Sequence, residues 1–155
     1  MGSLNSITVE WMGPYSFDQL TPKELRRKMG IYAVLHDSNY LFIGQTKRGK
    51  AIFREAKVNR EEEYWRGLRK LGVVGESKPA WYKLKEDVYS NCELYAGVVS
   101  KDDFELLEDL RRLLVFKLKP VCNDKFVKVL ESKADLYVTY RGTPPPGLEK
   151  LERAR

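Results

Sequence analysis

Apolar residues fall in two patterns along this chain. In the first, short runs rich in β-branched and aromatic residues are closed off by glycine and turn formers. Gly30 opens the run Ile31-Tyr32-Ala33-Val34-Leu35, His36-Asp37-Ser38-Asn39 supplies turn chemistry, and Tyr40-Leu41-Phe42-Ile43 stops at Gly44. That arrangement predicts a β-hairpin, with His36 a solvated turn residue. Cys92 to Val99 predicts a third strand, and Ile7 to Trp11 and Leu136 to Tyr140 are candidate extra strands near the ends. In the second pattern, apolar residues recur at helical spacing among charges. Ala51 to Leu71 reads as one long helix carrying Ile52, Phe53, Ala56, Tyr64, Trp65 and Leu68, broken by Gly72 to Pro79.

Local signals set the remaining boundaries. Thr21-Pro22-Lys23-Glu24 places a capping threonine, a first-position proline and a glutamate three residues after the cap, which predicts a short helix to about Met29. Ser100-Lys101-Asp102-Asp103 predicts the start of a helix that runs to about Lys119 and stops before Pro120. Thr143-Pro144-Pro145-Pro146-Gly147 reads as a stiff linker to a short charged tail, which leaves one domain over residues 1–142 and a linker and tail over 143–155. The fold class expected is α/β in the α+β sense: a small central antiparallel sheet of about three strands flanked by helices, with possible extra terminal strands.

Composition narrows the partners. The 155 residues carry 28 Lys and Arg against 22 Asp and Glu, a formal net charge of +6 that favours an anionic partner such as nucleic acid. Cys92 and Cys122 are far apart with no metal-type spacing, which argues against a zinc site or a secreted disulfide framework and for core thiols in a reducing compartment. No apolar run approaches the roughly 18 residues of a membrane span, and no charged segment followed by an apolar one opens the chain. A soluble intracellular protein, cytoplasmic or nuclear, with no membrane partner is the expectation.

Gly30-Ile31-Tyr32 and, ten residues on from Tyr32, Phe42-Ile43-Gly44 resemble the paired signature of the GIY-YIG nuclease superfamily. The order of the later segments adds to the resemblance: polar loop, helix with an early arginine, third strand, second helix, then Lys119-Pro120-Val121-Cys122-Asn123, similar to the Pro-x-x-Asn element that closes the family's core. The likeness spans about Trp11 to Asp124. It implies hydrolysis of DNA phosphodiesters with one metal ion, through tyrosines from the two strands, an arginine on the first helix and a metal-binding glutamate on the second. A phenol can relay the proton of attacking water, a guanidinium can fork onto phosphate, and a carboxylate can hold Mg²⁺.

Carried over by position, the resemblance gives a candidate set of Tyr32, Arg54 and Asn123, with departures elsewhere. Phe42 replaces the second tyrosine and has no proton to relay. Tyr40, two residues earlier, is expected on the same strand face and could offer a phenol. Val58 stands where a basic or tyrosyl residue is common, and Arg111 stands at the glutamate position. Arg111 falls inside the stripe of Phe104, Leu107, Leu114, Val115 and Leu118, so it needs a partner, and Glu108 at i−3 is the nearest candidate.

Two readings of that pair stay open. Glu108 holds Mg²⁺ or Mn²⁺ with Arg111 on the scissile phosphate, or Glu108 and Arg111 pair with each other and no metal cofactor binds; a guanidinium at the metal position favours the second. Lys47, Arg48, Lys50, Arg54 and Lys57 form a basic loop and first helical turns suited to a phosphate backbone. Trp65, Trp81, Tyr82 and Tyr89 could stack bases where exposed. The leading expectation is a phosphodiester-backbone-binding domain with a degenerate nuclease site, DNA ahead of RNA. The alternative is an active Mg²⁺-dependent endonuclease using Tyr32, Arg54 and Glu108, and a further alternative is a protein-interaction module, with a further domain or protein partner.

Overall fold

A computed structural model describes residues 5–58, 60–123 and 136–148. The strands are β1 (Asn5–Ser16), β2 (Gly30–His36), β3 (Asn39–Gln45), β4 (Glu93–Val98) and β5 (Leu136–Gly142). The helices are α1 (Ile52–Lys57), α2 (Glu61–Lys70), α3 (Trp81–Asn91) and α4 (Leu107–Leu118). The fold is α+β, and the strands make one sheet in the order β3-β2-β4-β1-β5. Neighbours pair antiparallel except β1 and β5, which run parallel from Asn5↔Leu136 to Trp11↔Gly142. The expected three-strand core is therefore β3-β2-β4, and both candidate terminal strands join its sheet.

Helices cover both faces, which explains why β2 reads as an unbroken apolar run. On one face Ile31, Ala33 and Leu35 pack with Ile7, Val9 and Trp11 of β1 against Leu107, Leu110 and Leu114 of α4. On the other, Tyr32 and Val34 meet Phe53, Tyr64, Trp65, Leu84 and Val88 from α1, α2 and α3. β1 lies further out and alternates, with Ile7, Val9 and Trp11 buried and Thr8 exposed. Gly30, at φ +155°, is required where β2 enters the sheet, because a Cβ there would run into the Gly97 carbonyl oxygen.

Several boundaries differ from the sequence expectations. The helix expected from Thr21 to Met29 is one 3₁₀ turn, Lys23–Leu25: Arg26 is extended at ψ 127° and Arg27 is left-handed at φ 57°. The long helix expected from Ala51 to Leu71 is two helices. Val58, β-branched and a weak helix former, is extended at φ −89° and ψ 129°. The break frees the Ala56 carbonyl, and the buried Tyr64 hydroxyl donates to it at 2.7 Å. α3 has no counterpart in the sequence expectations, although Trp81, Leu84, Lys85 and Val88 follow Pro79 at helical spacing. The Ser100 cap holds, with its hydroxyl accepting from the Asp102 N–H, but the first turns are 3₁₀ (Lys101–Leu106) before α4 begins.

The segment read as a linker lies against the sheet as far as it is described. The Thr143 N–H donates to the Trp11 carbonyl at 2.9 Å, and Leu148 is fully buried in the α4-side core. The charged tail from residue 149 lies outside the described residues. Among the described residues, no helix is long and apolar enough to cross a membrane.

Candidate functional site

β3 is an edge strand, so its outward N–H and C=O groups need partners. At Ile43 a side chain supplies both: Asn123 Oδ1 accepts from the Ile43 N–H at 2.9 Å, and Asn123 Nδ2 donates to the Ile43 carbonyl at 3.1 Å. Asn123 is fully buried. Its position in the candidate set is thus that of a backbone clamp, closing the edge as a further strand would.

One residue on, Gly44 faces Tyr32 across the β2–β3 ladder. A Cβ at Gly44 would strike the Tyr32 ring and lie 2.7 Å from Phe42 Cε2, so only glycine lets the Tyr32 ring lie across the strand. The Tyr32 hydroxyl is buried beside the Arg60 guanidinium. Burial raises its pKa; the neighbouring Arg60 guanidinium opposes this, and Glu55 and Glu63 add to the rise.

Beside Gly44 a cavity of about 230 Å³ opens at the sheet edge, between α2 and α4, lined by Phe42, Gln45, Arg60, Glu63 and Arg111. Arg60 sits with its guanidinium 4.9 Å from the Phe42 ring centre and 3.4 Å from Glu63 Oε1. Burial works against its charge, but Tyr32, Glu63 and Tyr64 outweigh burial and raise its pKa. Arg111 enters from α4, and its Nε donates to Gln45 Oε1 at 2.9 Å. Burial lowers the Arg111 pKa; Glu108 opposes the lowering, and the nearby Arg112 and Arg60 add to it. Both guanidinium groups remain cationic at neutral pH, since an arginine starts from a pKa above about 12. Among the described residues, two forked cations therefore share this cavity with a single carboxylate, Glu63.

The expected Glu108–Arg111 pair is present only at the limit, 4.0 Å from Arg111 Nη2 to Glu108 Oε1. The closer partner of Glu108 is Arg112, one turn on, at 3.0 Å. Glu108 is exposed and does not line the cavity. Mg²⁺ requires an octahedral set of oxygens. Arg111 occupies the position that the resembled family gives to a carboxylate, and among the described residues no group of three His, Cys, Asp or Glu side chains could hold a metal ion. Among the described residues the carboxylate that lines this cavity is Glu63, paired with Arg60, and the two guanidinium groups beside it oppose a divalent cation.

Tyr40 is not on the Phe42 face. The ladder shifts register between Val34 and Leu35, pairing Val34 with Phe42 and Leu35 with Tyr40. Leu41 and Phe42 consequently both pack on the α1–α3 side while Tyr40 packs on the α4 side. The Tyr40 hydroxyl donates to the Pro146 carbonyl at 2.8 Å. Arg54 is exposed on α1, and neither it nor the exposed Val58 lines the cavity. His36 is not the solvated residue expected: its Nδ1 lies 2.7 Å from the Asn91 carbonyl oxygen.

The basic cluster divides. Lys57 turns toward α3, with its Nζ 5.2 Å from the Tyr89 ring centre and donating to the Gln19 carbonyl at 3.3 Å. Arg48 and Lys50 instead line a groove of about 560 Å³ with Arg27 and Lys101, over Met29 and Phe104. Lys47 is exposed, and its backbone N–H donates to Glu55 at 3.3 Å. Of the aromatic residues considered for stacking, Trp81 and Tyr82 are exposed and Trp65 is core.

Arg60, Gln45, Arg27 and Lys101 were not singled out by sequence reasoning. For the last two the proximity comes from the sheet register: Gly30 pairs with Val98, so the residues just before β2 and just after β4 are neighbours. For Arg60 the sequence offered only Val58, a weak helix former, within a run whose propensity favours one helix. Comparison with protein-family models, with curated proteins and with solved structures gives no match to this chain.

Proposed function

We propose that this chain binds the phosphodiester backbone of nucleic acid, DNA foremost, without cutting it. The observation that carries the reading is the convergence of Arg60 and Arg111 on one edge cavity, beside Phe42 and Gly44 of the segment that resembles the GIY-YIG signature. Each guanidinium is held by a partner, Arg60 by Glu63 and Arg111 by Gln45. Planar donors fixed in this way suit phosphate oxygens, and Arg forks onto phosphate with little further ordering. The exposed Lys47, Arg48 and Lys50 would extend the contact along the backbone. Such contacts read charge and not sequence.

The test is fluorescence anisotropy with a labelled duplex, repeated from about 50 to about 200 mM salt, beside a plasmid-nicking assay with Mg²⁺ and Mn²⁺. Binding should weaken steeply with salt. Arg60→Gln with Arg111→Gln should lower the slope of log K against log salt by about 2, and Lys47→Glu, Arg48→Glu and Lys50→Glu together by about 3. Plasmid should stay intact. Metal-dependent nicking by the unaltered protein, abolished by Glu108→Ala, would restore the endonuclease reading. Neither binding nor nicking would leave the protein-interaction reading.

A further inference from the structure

We infer that the groove between the β3–α1 loop and the start of the 3₁₀ segment after β4 seats a nucleotide, its base stacked beside Arg48 and Phe104 and its phosphate on Arg27 and Lys101. The inference rests on the nucleic-acid reading but concerns a second site, and it changes the ligand from a backbone to a backbone with an unstacked base.

Size separates the two sites. The edge cavity, at about 230 Å³, is smaller than the roughly 300 to 1,000 Å³ typical of small-molecule pockets and suits a phosphoryl group alone. The groove, at about 560 Å³, lies within that range. Its lining is also of two kinds. Met29 and Phe104 make an apolar floor, while Arg27, Arg48, Lys50 and Lys101 stand around it. A bare phosphate backbone needs only the cations. An apolar floor inside a cationic rim matches a ligand that is flat and apolar at one end and anionic at the other.

The stacking platform is already assembled. The Arg48 guanidinium lies 4.3 Å from the Phe104 ring centre, and Glu105 holds it at 2.7 Å. Bases of unpaired strands stack on aromatic rings and on guanidinium planes alike. On the other side, Arg27 reaches the groove from a left-handed backbone at φ 57°, a conformation uncommon for arginine. A second depression of about 420 Å³ shares Arg27, Met29 and Lys101 and adds Lys28, so the rim continues past the first groove. Glu10 and Asp103 border that second depression and not the first, so the first groove is the one suited to an anionic ligand. A duplex keeps its bases stacked and cannot use the floor, so the preferred strand is single.

The test compares three probes on the full chain: a labelled single-stranded 12-mer, an abasic strand of the same length and charge, and adenosine monophosphate. The base-bearing strand should bind at least tenfold more tightly than the abasic one. Arg27→Asn, which tolerates the left-handed backbone, and Lys101→Glu, at an exposed position, should each remove most of that difference. They should leave duplex binding within about twofold, since they spare Arg60 and Arg111. Adenosine monophosphate binding that both substitutions weaken would identify a free nucleotide as a ligand of the same groove; binding of the strand alone would assign the groove to nucleic acid. Equal affinity for base-bearing and abasic strands, with no mononucleotide binding, overturns this inference and leaves the backbone reading standing. Binding of none of the probes, duplex included, overturns both.

Discussion

Replacing Asn123 by alanine tests the clamp on the edge strand. The substitution removes the acceptor 2.9 Å from the Ile43 N–H and the donor 3.1 Å from the Ile43 carbonyl. Both backbone groups lose their side-chain partner at a fully buried position. A buried polar group left unpaired costs about 1 to 3 kcal/mol. Two such groups at a sheet edge, where water can reach part of the gap, give a loss of about 2 to 3 kcal/mol. For a chain of this length that lowers the Tm by roughly 4 to 12 °C. Urea denaturation and a thermal melt followed by circular dichroism read both quantities.

Asn123→Asp sharpens the same test. An ionised carboxylate would still accept from the Ile43 N–H but would face the Ile43 carbonyl oxygen, so its folded pKa should rise above the ordinary carboxylate value of about 3.9. The neutral acid can donate and accept as the amide does. Its stabilising contribution is therefore present below the unfolded pKa and lost as pH rises through the folded one. The variant should approach the native stability in acid and fall behind it at neutral pH. If Asn123→Ala costs less than about 0.5 kcal/mol, or Asn123→Asp shows no such pH dependence relative to the native chain, the two hydrogen bonds do not hold the edge and the reasoning fails.

The same geometry leads to three other outcomes. Gly44→Ala drives a methyl group into the Tyr32 ring and to 2.7 Å from Phe42 Cε2; overpacking should destabilise by about 1 to 3 kcal/mol in urea denaturation, and native stability would show that the two rings yield freely. Cys92 is buried, and burial, aided by Cys122, pushes its thiol up to about 12, so maleimide at neutral pH should label only the partly exposed Cys122 in the folded protein. Above about pH 9 the fold should lose stability, because burial and then Glu24 raise Tyr15 to about 12, and burial also raises Tyr64 and Tyr140. These groups contribute below their unfolded pKa values of about 8.5 for Cys and about 10 for Tyr, and the contribution is lost as pH rises toward about 12, which denaturation across that range would measure.

Local chemistry alone settled the core hairpin. Glycine at each end of the apolar pair, a turn-forming tetrapeptide between them and a continuous apolar run are all short-range signals, and the strands run as Gly30–His36 and Asn39–Gln45. The Ser100 cap and the stop before Pro120 were legible for the same reason: each depends on residues within a few positions. What lay beyond the sequence pattern was every feature decided by a distant partner. The shift that turns Tyr40 away from Phe42 depends on how β3 registers against β2, and side-chain alternation within one strand carries no record of an extra residue in the ladder.

The helix break between α1 and α2 depends on Tyr64 meeting the Ala56 carbonyl and on the sheet face that α2 must cover; propensity over the charged run pointed to a single helix. Arg60 reaches the edge cavity only because of that break, and Arg111 is held by Gln45, a residue 66 positions away. The sequence by itself determined that an arginine would fall inside the apolar stripe of α4 and need a partner. Only the tertiary structure decided that Gln45 would orient it, that a second arginine would join it, and that Glu108 would turn to Arg112. The physical reason is that the order of apolar and polar residues encodes local conformation, whereas the partner of a long charged side chain depends on which chain segments the core packing brings within a few ångströms.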